Sequence, residues 1–286
     1  LEIKHGLPGL TPPSASEEFL RGNYRLACQA TVSSSESDVE FSVLRRQPRI
    51  LTHALRRKVP FEPLTRRHGN DVYFNGLRID SFQGRILGLA IDIGTTTVVL
   101  NLTDMENGEV IHTSSFENPQ RFGGSDIMHR ISYDQAPFRG ELQQVILSAI
   151  NFEVGEACKN FNLHRRRIYD VVVVGNSTMR DIFFGLDVQT IGQRPYKSVT
   201  EHEFNQGLRK TTSLNAKAKD LGLRVFPQAN VYSAPLVSGH VGADVMADML
   251  AVGIDQEEKV VMLVDVGTNT EVVVGNRHRL LAASCP

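Results

Sequence analysis

The sequence contains few cysteines, no long apolar run and no excess of charge of one sign. Its three cysteines (Cys28, Cys158 and Cys285) are too few and too scattered for a disulfide framework, which favours a reducing cytoplasm. No apolar run approaches the roughly 20 residues that cross a bilayer, so no membrane association is expected. The net charge of −1 argues against nucleic-acid binding, because nucleic-acid modules usually carry a clear basic excess. These features are typical of a soluble globular protein.

Several common site motifs are also missing. The chain has neither G-x-x-x-x-G-K-[ST] nor G-x-G-x-x-G, the two glycine-rich phosphate loops that are easiest to recognise. Its nine histidines show no H-x-x-x-H or H-E-x-x-H spacing, so a zinc site is not expected. Nucleotide binding by another type of loop stays open.

Three regions differ in composition. Residues 1–43 have strand and loop character, and both ends of the chain are expected to lie inside a longer polypeptide. Residues 44–67 contain eight Lys or Arg residues and one acid, Glu62, so residues 44–85 are predicted to be a basic linker. The linker either docks onto an acidic partner or is simply solvated. From residue 86, strands alternate with amphipathic helices, which predicts an α/β domain over residues 86–286.

One motif occurs twice in that domain. IDIGTTTVVL (91–100) and VDVGTNTEVV (264–273) each have an apolar strand that ends in Asp-x-Gly-Thr, followed by a second strand. A single D-x-G-T is common and would indicate little more than a strand-to-turn junction. Two copies about 170 residues apart predict a duplicated α/β unit that faces itself across a cleft.

The residue types in the repeat suit phosphate binding. Gly94 and Gly267 lack a Cβ, so the turn can bend sharply and bring backbone N–H groups close to an anion. Asp92 and Asp265 lie at strand ends, where carboxylates can hold hydrated Mg²⁺. The remaining turn residues add neutral hydrogen-bond donors; these are Thr95, Thr96, Thr97, Thr268, Asn269 and Thr270. The pair therefore predicts a nucleotide site with two facing hairpins.

The two hairpins resemble the phosphate-1 and phosphate-2 motifs of the actin, sugar kinase and heat-shock chaperone ATPases (the ASKHA fold). More closely, five blocks resemble the reductive activators of corrinoid proteins: GLAIDIGTTTV, NPQRFGGSDIMHRI, VVVGNSTM, SGHVGADV and LVDVGTNTE. These activators are ferredoxin-linked ATPases that return cob(II)alamin to cob(I)alamin. The resemblance covers residues 86–286 and implies an ASKHA ATPase domain, incomplete at its C-terminus, that binds ATP and Mg²⁺.

The resemblance also suggests an electron carrier. YRLACQATV (24–32) is similar to the segment with the fourth cysteine ligand of a plant-type 2Fe–2S ferredoxin. It implies that residues 1–43 are the C-terminal remnant of a β-grasp ferredoxin domain and that Cys28 binds the cluster in the full-length protein. The other ligands would precede Leu1, and the sizeable middle domain of the family would be shortened to residues 44–85. Taken alone, such a cysteine is more often a buried core thiol than a cluster ligand.

Further polar residues near the motifs are candidates for the cleft. Asn176 and Ser177 directly follow a buried strand, as site residues in α/β sheets often do, and are predicted to bind nucleotide. Asp92 and Asp265 would be the catalytic residues. A polar loop and the SGHVGADV block supply less specific candidates, which are Asn118, Gln120, Arg121, Gly123, Asp126, Gly239, Gly242 and Asp244.

The implied function is ATP-dependent reduction of a corrinoid protein from Co(II) to Co(I) for methyl transfer. The alternatives are a small-molecule kinase of the same fold, an actin-like scaffold and the related activator of acyl-CoA dehydratases. The expected partner is the corrinoid protein of a methyltransferase system. A homodimer stays open, as do the methyl donor and whether ATP is hydrolysed or only bound.

Overall fold

The computed structural model describes residues 1–14, 17, 22–27, 29–34, 37–42 and 59–285. The chain divides into two compact units, Leu1–Ala54 and Leu55–Pro286. No described helix is long and apolar enough to cross a membrane.

The first unit has a small two-stranded sheet. Strand β1 (Glu2–His5) pairs antiparallel with β2 (Glu40–Ser42). Next to it, the Arg25 Nε atom donates to Glu17 Oε1 over 2.8 Å, and both side chains are buried. Cys28 lies outside the described residues, so its role as a cluster ligand and the ferredoxin remnant itself stay predictions.

The second unit has a three-stranded antiparallel sheet within residues 44–85, the range that was predicted to be a basic linker. Its strands are β3 (Thr65–His68), β4 (Asp71–Phe74) and β5 (Leu77–Ser81). Tight turns join them, with positive φ angles at Gly69, Asn75 and Gly76; Asn-Gly is the dipeptide that such hairpin turns favour. The linker prediction rested on the basic residues and the prolines of this range, and the hairpin signal at Asn75 and Gly76 was overlooked.

The largest sheet has six strands in the order β10-β11-β9-β6-β7-β8. Three of them form an antiparallel meander, β6 (Leu87–Ile93), β7 (Thr97–Asp104) and β8 (Val110–Glu117). The others are β9 (Ile168–Gly175), β10 (Leu214–Lys217) and β11 (Asn230–Ser233). Strand β9 runs parallel to β6 and β11, so β6 and β9 end at the same edge of the sheet.

The unit also contains helices, some of which contact strands of this sheet directly. They are α1 (Ile127–Tyr133), α2 (Glu141–Asn160), α3 (Ser177–Phe183), α4 (Val199–Asn205), α5 (Ala218–Leu221) and α6 (Ala243–Val252). On α2 the buried residues Leu142, Ile146 and Ile150 follow the i, i+4, i+8 spacing of one helical face. The predicted alternation of strands with amphipathic helices after residue 86 is confirmed.

A second three-stranded antiparallel sheet follows, with β12 (Val261–Val266), β13 (Thr270–Asn276) and β14 (Arg279–Cys285). The predicted hairpin at LVDVGTNTE is therefore present as β12–β13. The mixed α/β fold is confirmed, whereas the duplication of a whole α/β unit stays a prediction.

Candidate functional site

The first predicted hairpin joins β6 to β7 at the edge of the large sheet. The Gly94 N–H donates to the Thr97 carbonyl over 2.9 Å, so the N–H of Gly94 closes the turn itself. A Cβ at Gly94 would lie 2.7 Å from that carbonyl oxygen, closer than real contacts allow, so the tight turn requires glycine. Thr95 is buried and Thr96 is exposed, which leaves Thr96 at the tip.

The second hairpin faces the first. The Gly267 N–H donates to the Asn269 carbonyl over 2.9 Å and closes the turn between β12 and β13. The Thr96 Oγ1 and Thr268 Oγ1 atoms are 2.8 Å apart. The structure thus brings the tips of the two D-x-G-T hairpins into contact, although they are far apart in sequence.

The NPQRFGG segment holds the first hairpin from behind. Asn118 is buried, and its Nδ2 donates to the Gly94 carbonyl over 2.8 Å while its backbone N–H donates to the Thr96 carbonyl over 2.7 Å. Its Oδ1 accepts from the Gln120 backbone N–H. Asn118 therefore fixes the shape of the first hairpin turn. By contrast, Arg121 is exposed and pairs with Glu117.

Arg130 supports the same turn and was not predicted. It is 1% exposed, and its Nη2 donates to the Thr95 carbonyl over 2.6 Å, Nε to the Gly124 carbonyl and Nη1 to Met179 Sδ. No described carboxylate forms an ion pair with it. Burial lowers the pKa of Arg130 to about 10, with Asp126 acting in the opposite direction, so the guanidinium is still charged at neutral pH. The sequence signal was an arginine on the helical face of Ile127 and Ile131.

We expect Arg130→Gln in the full-length protein to weaken nucleotide binding about tenfold or more, because a charge-assisted hydrogen bond contributes roughly 1.5–3 kcal/mol. Isothermal titration with an ATP analogue that is not hydrolysed measures this. Arg121→Gln is the matched control, since it removes an exposed arginine from the same segment. Equal affinities in both variants, with unchanged thermal unfolding, would contradict this role for Arg130.

The two residues predicted after β9, Asn176 and Ser177, make different contacts. The Asn176 Nδ2 atom donates to Thr95 Oγ1 over 3.1 Å, and its Oδ1 caps α3 by accepting from the Met179 N–H. Asn176 thus lies directly beside the first hairpin. Ser177 is fully buried and its Oγ donates to the Gly239 carbonyl over 2.5 Å, so its side chain holds a neighbouring loop. Nucleotide binding by either residue stays a prediction.

Five carboxylates gather around the two hairpins. They are Asp92 at the end of β6, Asp244 and Asp248 one turn apart on α6, Asp265 on β12 and Glu271 on β13. Of these, Asp248 and Glu271 were not predicted. The i, i+4 spacing of GADVMAD was the available signal.

Desolvation and mutual repulsion raise the pKa values of these carboxylates. The Asp92 side chain reaches solvent, yet mostly protein atoms surround it. The pKa of Asp92 is raised to about 6, mainly by this desolvation and to a smaller extent by the negative charges of Asp248 and Asp265. Burial raises the pKa of Asp244 to about 7 and that of Asp248 to about 6. Burial likewise raises the pKa of Asp265 and Glu271. Such a set of hard oxygen donors gains stability from a cation.

Gly242 places α6 against this site. A Cβ on Gly242 would lie 2.4 Å from the Gly175 carbonyl oxygen and 2.5 Å from Asn176 Cα. Only glycine therefore lets the start of α6 touch the end of β9, and this contact carries Asp244 and Asp248 to the carboxylate group. The structure gives Gly242 a packing role.

The donor set fits a hydrated Mg²⁺ better than a closed metal cage. No three His, Cys, Asp or Glu side chains in the described ranges are arranged to hold an ion by themselves. Mg²⁺ keeps several waters and is usually bound through one or two carboxylates together with substrate phosphates. Asp92 and Asp265 lie at the bases of the two hairpins, and their role as Mg²⁺ ligands stays a prediction.

Comparison with known proteins matches the chain to one family. A family model described as the RACo middle region matches residues 87–257. The corrinoid activation enzyme RamQ of Eubacterium limosum is 30% identical over 76% of this chain and 38% of its own length. The [Co(II) methylated amine-specific corrinoid protein] reductase of Methanosarcina barkeri is 21% identical over 69% of this chain and 35% of its own length.

A solved structure is similar as well. The reductive activator for corrinoid, iron–sulfur protein superposes with a TM-score of 0.66 and 33% identity, covering 73% of this chain and 33% of that one. The chain thus spans between a third and two fifths of the length of these relatives.

Proposed function

This chain belongs to the protein family defined by the RACo middle region, and on that premise we propose that it is part of an ATP-dependent reductive activator of a corrinoid protein. Its relatives are named as a corrinoid activation enzyme, a corrinoid protein reductase and a reductive activator. The observation that carries the proposal is the contact between the two D-x-G-T hairpins above a group of carboxylates. We place the protein in the cytoplasm.

The reaction moves one electron. Cys28, together with ligands outside these residues, would hold a 2Fe–2S cluster in the full-length protein, and the reduced cluster would supply the one electron that turns Co(II) into Co(I). This transfer is uphill, so it must be coupled to a downhill process. Nucleotide binding or hydrolysis can shift the equilibrium only through different affinities for two conformations. ATP with Mg²⁺ supplies that free energy when bound.

Residues of this chain would couple nucleotide binding to the conformational change. Thr95, Thr96 and Thr268 offer hydroxyl and backbone donors to phosphate oxygens, and Asn118 with Arg130 keeps the first turn in shape. Asp92 and Asp265 orient the hydrated cation and the attacking water. Because the hairpin tips touch at Thr96 and Thr268, a nucleotide between them would have to separate the tips, which couples its binding to movement of α6 and β12–β14.

A spectrum of the full-length protein, purified without oxygen, tests the redox half of this proposal. We expect a 2Fe–2S absorption and electron paramagnetic resonance signal that is lost in Cys28→Ser and retained in Cys158→Ser. Cys158 is a buried thiol of α2 and serves as the control. Protein without iron would remove the electron donor and leave a small-molecule kinase or an actin-like scaffold as the better account.

A further inference from the structure

A basic groove of about 850 Å³ lies away from the hairpins. Its walls are the C-terminal half of α2, the turn at Arg165–Arg167 and the segment around α5. Strand β9 starts directly after that turn and ends beside Asn176 at the site. At about 3.3 Å per residue, the strand separates the groove from the hairpins by roughly 25 Å.

The groove carries an unbalanced positive charge. Five Lys or Arg side chains line it, Lys159, Arg165, Arg166, Lys219 and Arg224, and none of its described lining residues is acidic. None of these five forms an ion pair with a described residue. In a chain with a net charge of −1, this concentration on one face creates a local positive potential that attracts acidic partners.

One arginine of the groove is held in place. The Arg165 guanidinium donates to the Asn151 and Arg224 carbonyls over 3.4 and 3.5 Å. It lies directly over Gly155 of α2, where a Cβ would be 2.2 Å from Nη2. The positive charge at this end is therefore pre-positioned, which reduces the entropy lost on binding.

Apolar surface accompanies the charge. Leu163 and Pro227 line the groove between the basic residues, and Leu223 and Val225 beside them are buried. Phe152 is 64% exposed, and it precedes Gly155 and Lys159 of the lining by three and seven residues on α2. This spacing puts Phe152 on the same helical face. Exposed aromatic residues and arginines are enriched where protein interfaces are strongest.

We infer that this basic groove, together with Phe152, is the docking surface for an acidic face of the corrinoid protein, an inference that rests on the proposed function. The geometry favours a protein over a small anion. Lys159, Arg166, Lys219 and Arg224 are exposed, so the groove presents its charges outward on an open surface. An acidic protein surface with an apolar centre matches both the basic rim and the apolar lining.

Charge reversal in the full-length protein tests the inference. The variant Lys159→Glu/Arg166→Glu is compared with Arg139→Glu/Lys210→Glu, which changes the net charge equally at exposed positions outside the groove and the hairpins. We expect the groove variant to lower the association rate constant for the purified corrinoid protein about tenfold at low salt, and the control to change it less than about twofold. Nucleotide hydrolysis without the partner should stay at the wild-type rate.

A second variant and a footprinting experiment test the apolar part of the surface and identify what covers the groove. Phe152→Ser leaves the charge unchanged and should speed dissociation of the complex. Hydroxyl-radical footprinting of the free full-length protein should label Phe152, with protection only after the corrinoid protein is added. Labelling blocked without any partner would mean that another part of the same polypeptide covers the groove, and protection by inorganic pyrophosphate alone would indicate a small-anion site. Either result overturns the inference.

The two proposals fail in different ways. If the wild-type protein does not bind the corrinoid protein at all, the proposed function is wrong and the docking surface falls with it. If the wild-type protein binds the corrinoid protein and the two charge-reversal variants bind it as well as each other, only the proposed docking surface is wrong.

Discussion

Asp265→Asn in the full-length protein is expected to lower Mg²⁺-dependent ATP hydrolysis by about 100-fold or more, since removal of one group that stabilises charge in a transition state typically costs 10²–10³ in rate. Asn keeps the size of the side chain and removes only its charge. Asp92→Asn should have an effect of similar size, because the two carboxylates lie at corresponding positions of the two hairpins.

The stability of these variants separates lost catalysis from lost folding. The charge of Asp265 contributes to the raised pKa of Asp92 and Asp244. A carboxyl group with a raised pKa in the folded state destabilises the protein at pH values above its unfolded pKa. Removing one charge of the group should therefore leave the melting temperature of the nucleotide-free protein unchanged or higher at pH 8. An inactive variant that melts earlier would instead indicate misfolding.

Asp255→Asn serves as the control. Asp255 lies in the short helical turn Ile254–Gln256, is exposed and does not contribute to the raised pKa values of the carboxylate group. Its hydrolysis rate should equal that of the wild type. Unchanged hydrolysis in Asp265→Asn or Asp265→Ala would refute the assignment of the second hairpin to catalysis.

The strands and turns of the site were predictable from the sequence because their signal is local. An apolar strand, a glycine and a hydroxyl run fix the hairpin at Gly94, and its repetition at Gly267 indicates a shared role. The support behind the hairpin is different in kind. Asn118 and Arg130 act through contacts with backbone carbonyls of residues 94–96, and such contacts depend on how α1 packs against α3 and residues 119–123.

The difference between local signals and tertiary contacts also explains why Asp248 and strands β3–β5 were not predicted. Asp248 joins the carboxylate group because Gly242 lets α6 approach the end of β9, a tertiary contact that no short pattern specifies. Strands β3–β5 combine basic residues with short alternation. There, composition and periodicity favoured opposite predictions, and turn chemistry at Asn75 and Gly76 decided the outcome.

A buried ionic network links α3 to the start of α4. The Arg180 Nη2 atom donates to Asp181 Oδ1 over 2.7 Å, and both side chains are 0% exposed. Ser198 Oγ donates to the other Asp181 oxygen. The network ends near the site, because Glu201 of the same capping box accepts from the Gly239 N–H over 3.0 Å. It therefore anchors the loop from which α6 starts.

Arg180→Met is expected to lower the free energy of unfolding by about 3–5 kcal/mol, because the change leaves an unpaired carboxylate in the interior. Burial already raises the pKa of Asp181 even with Arg180 beside it, so loss of the guanidinium removes the main favourable partner of that charge. Denaturant unfolding at pH 7 measures the difference. Arg209→Met, which breaks the more exposed pair with Glu203, should cost less than about 1 kcal/mol.

The double variant Arg180→Met/Asp181→Leu decides what the network does. Replacing a whole buried ion pair by apolar residues is often neutral for stability, so we expect the double variant to recover most of the loss in Arg180→Met. If the network serves only stability, nucleotide affinity in the full-length protein should recover in parallel. Recovered stability with nucleotide affinity still weakened would instead show that the charged network positions the Gly239 loop, and with it the carboxylates of α6, for the two hairpins.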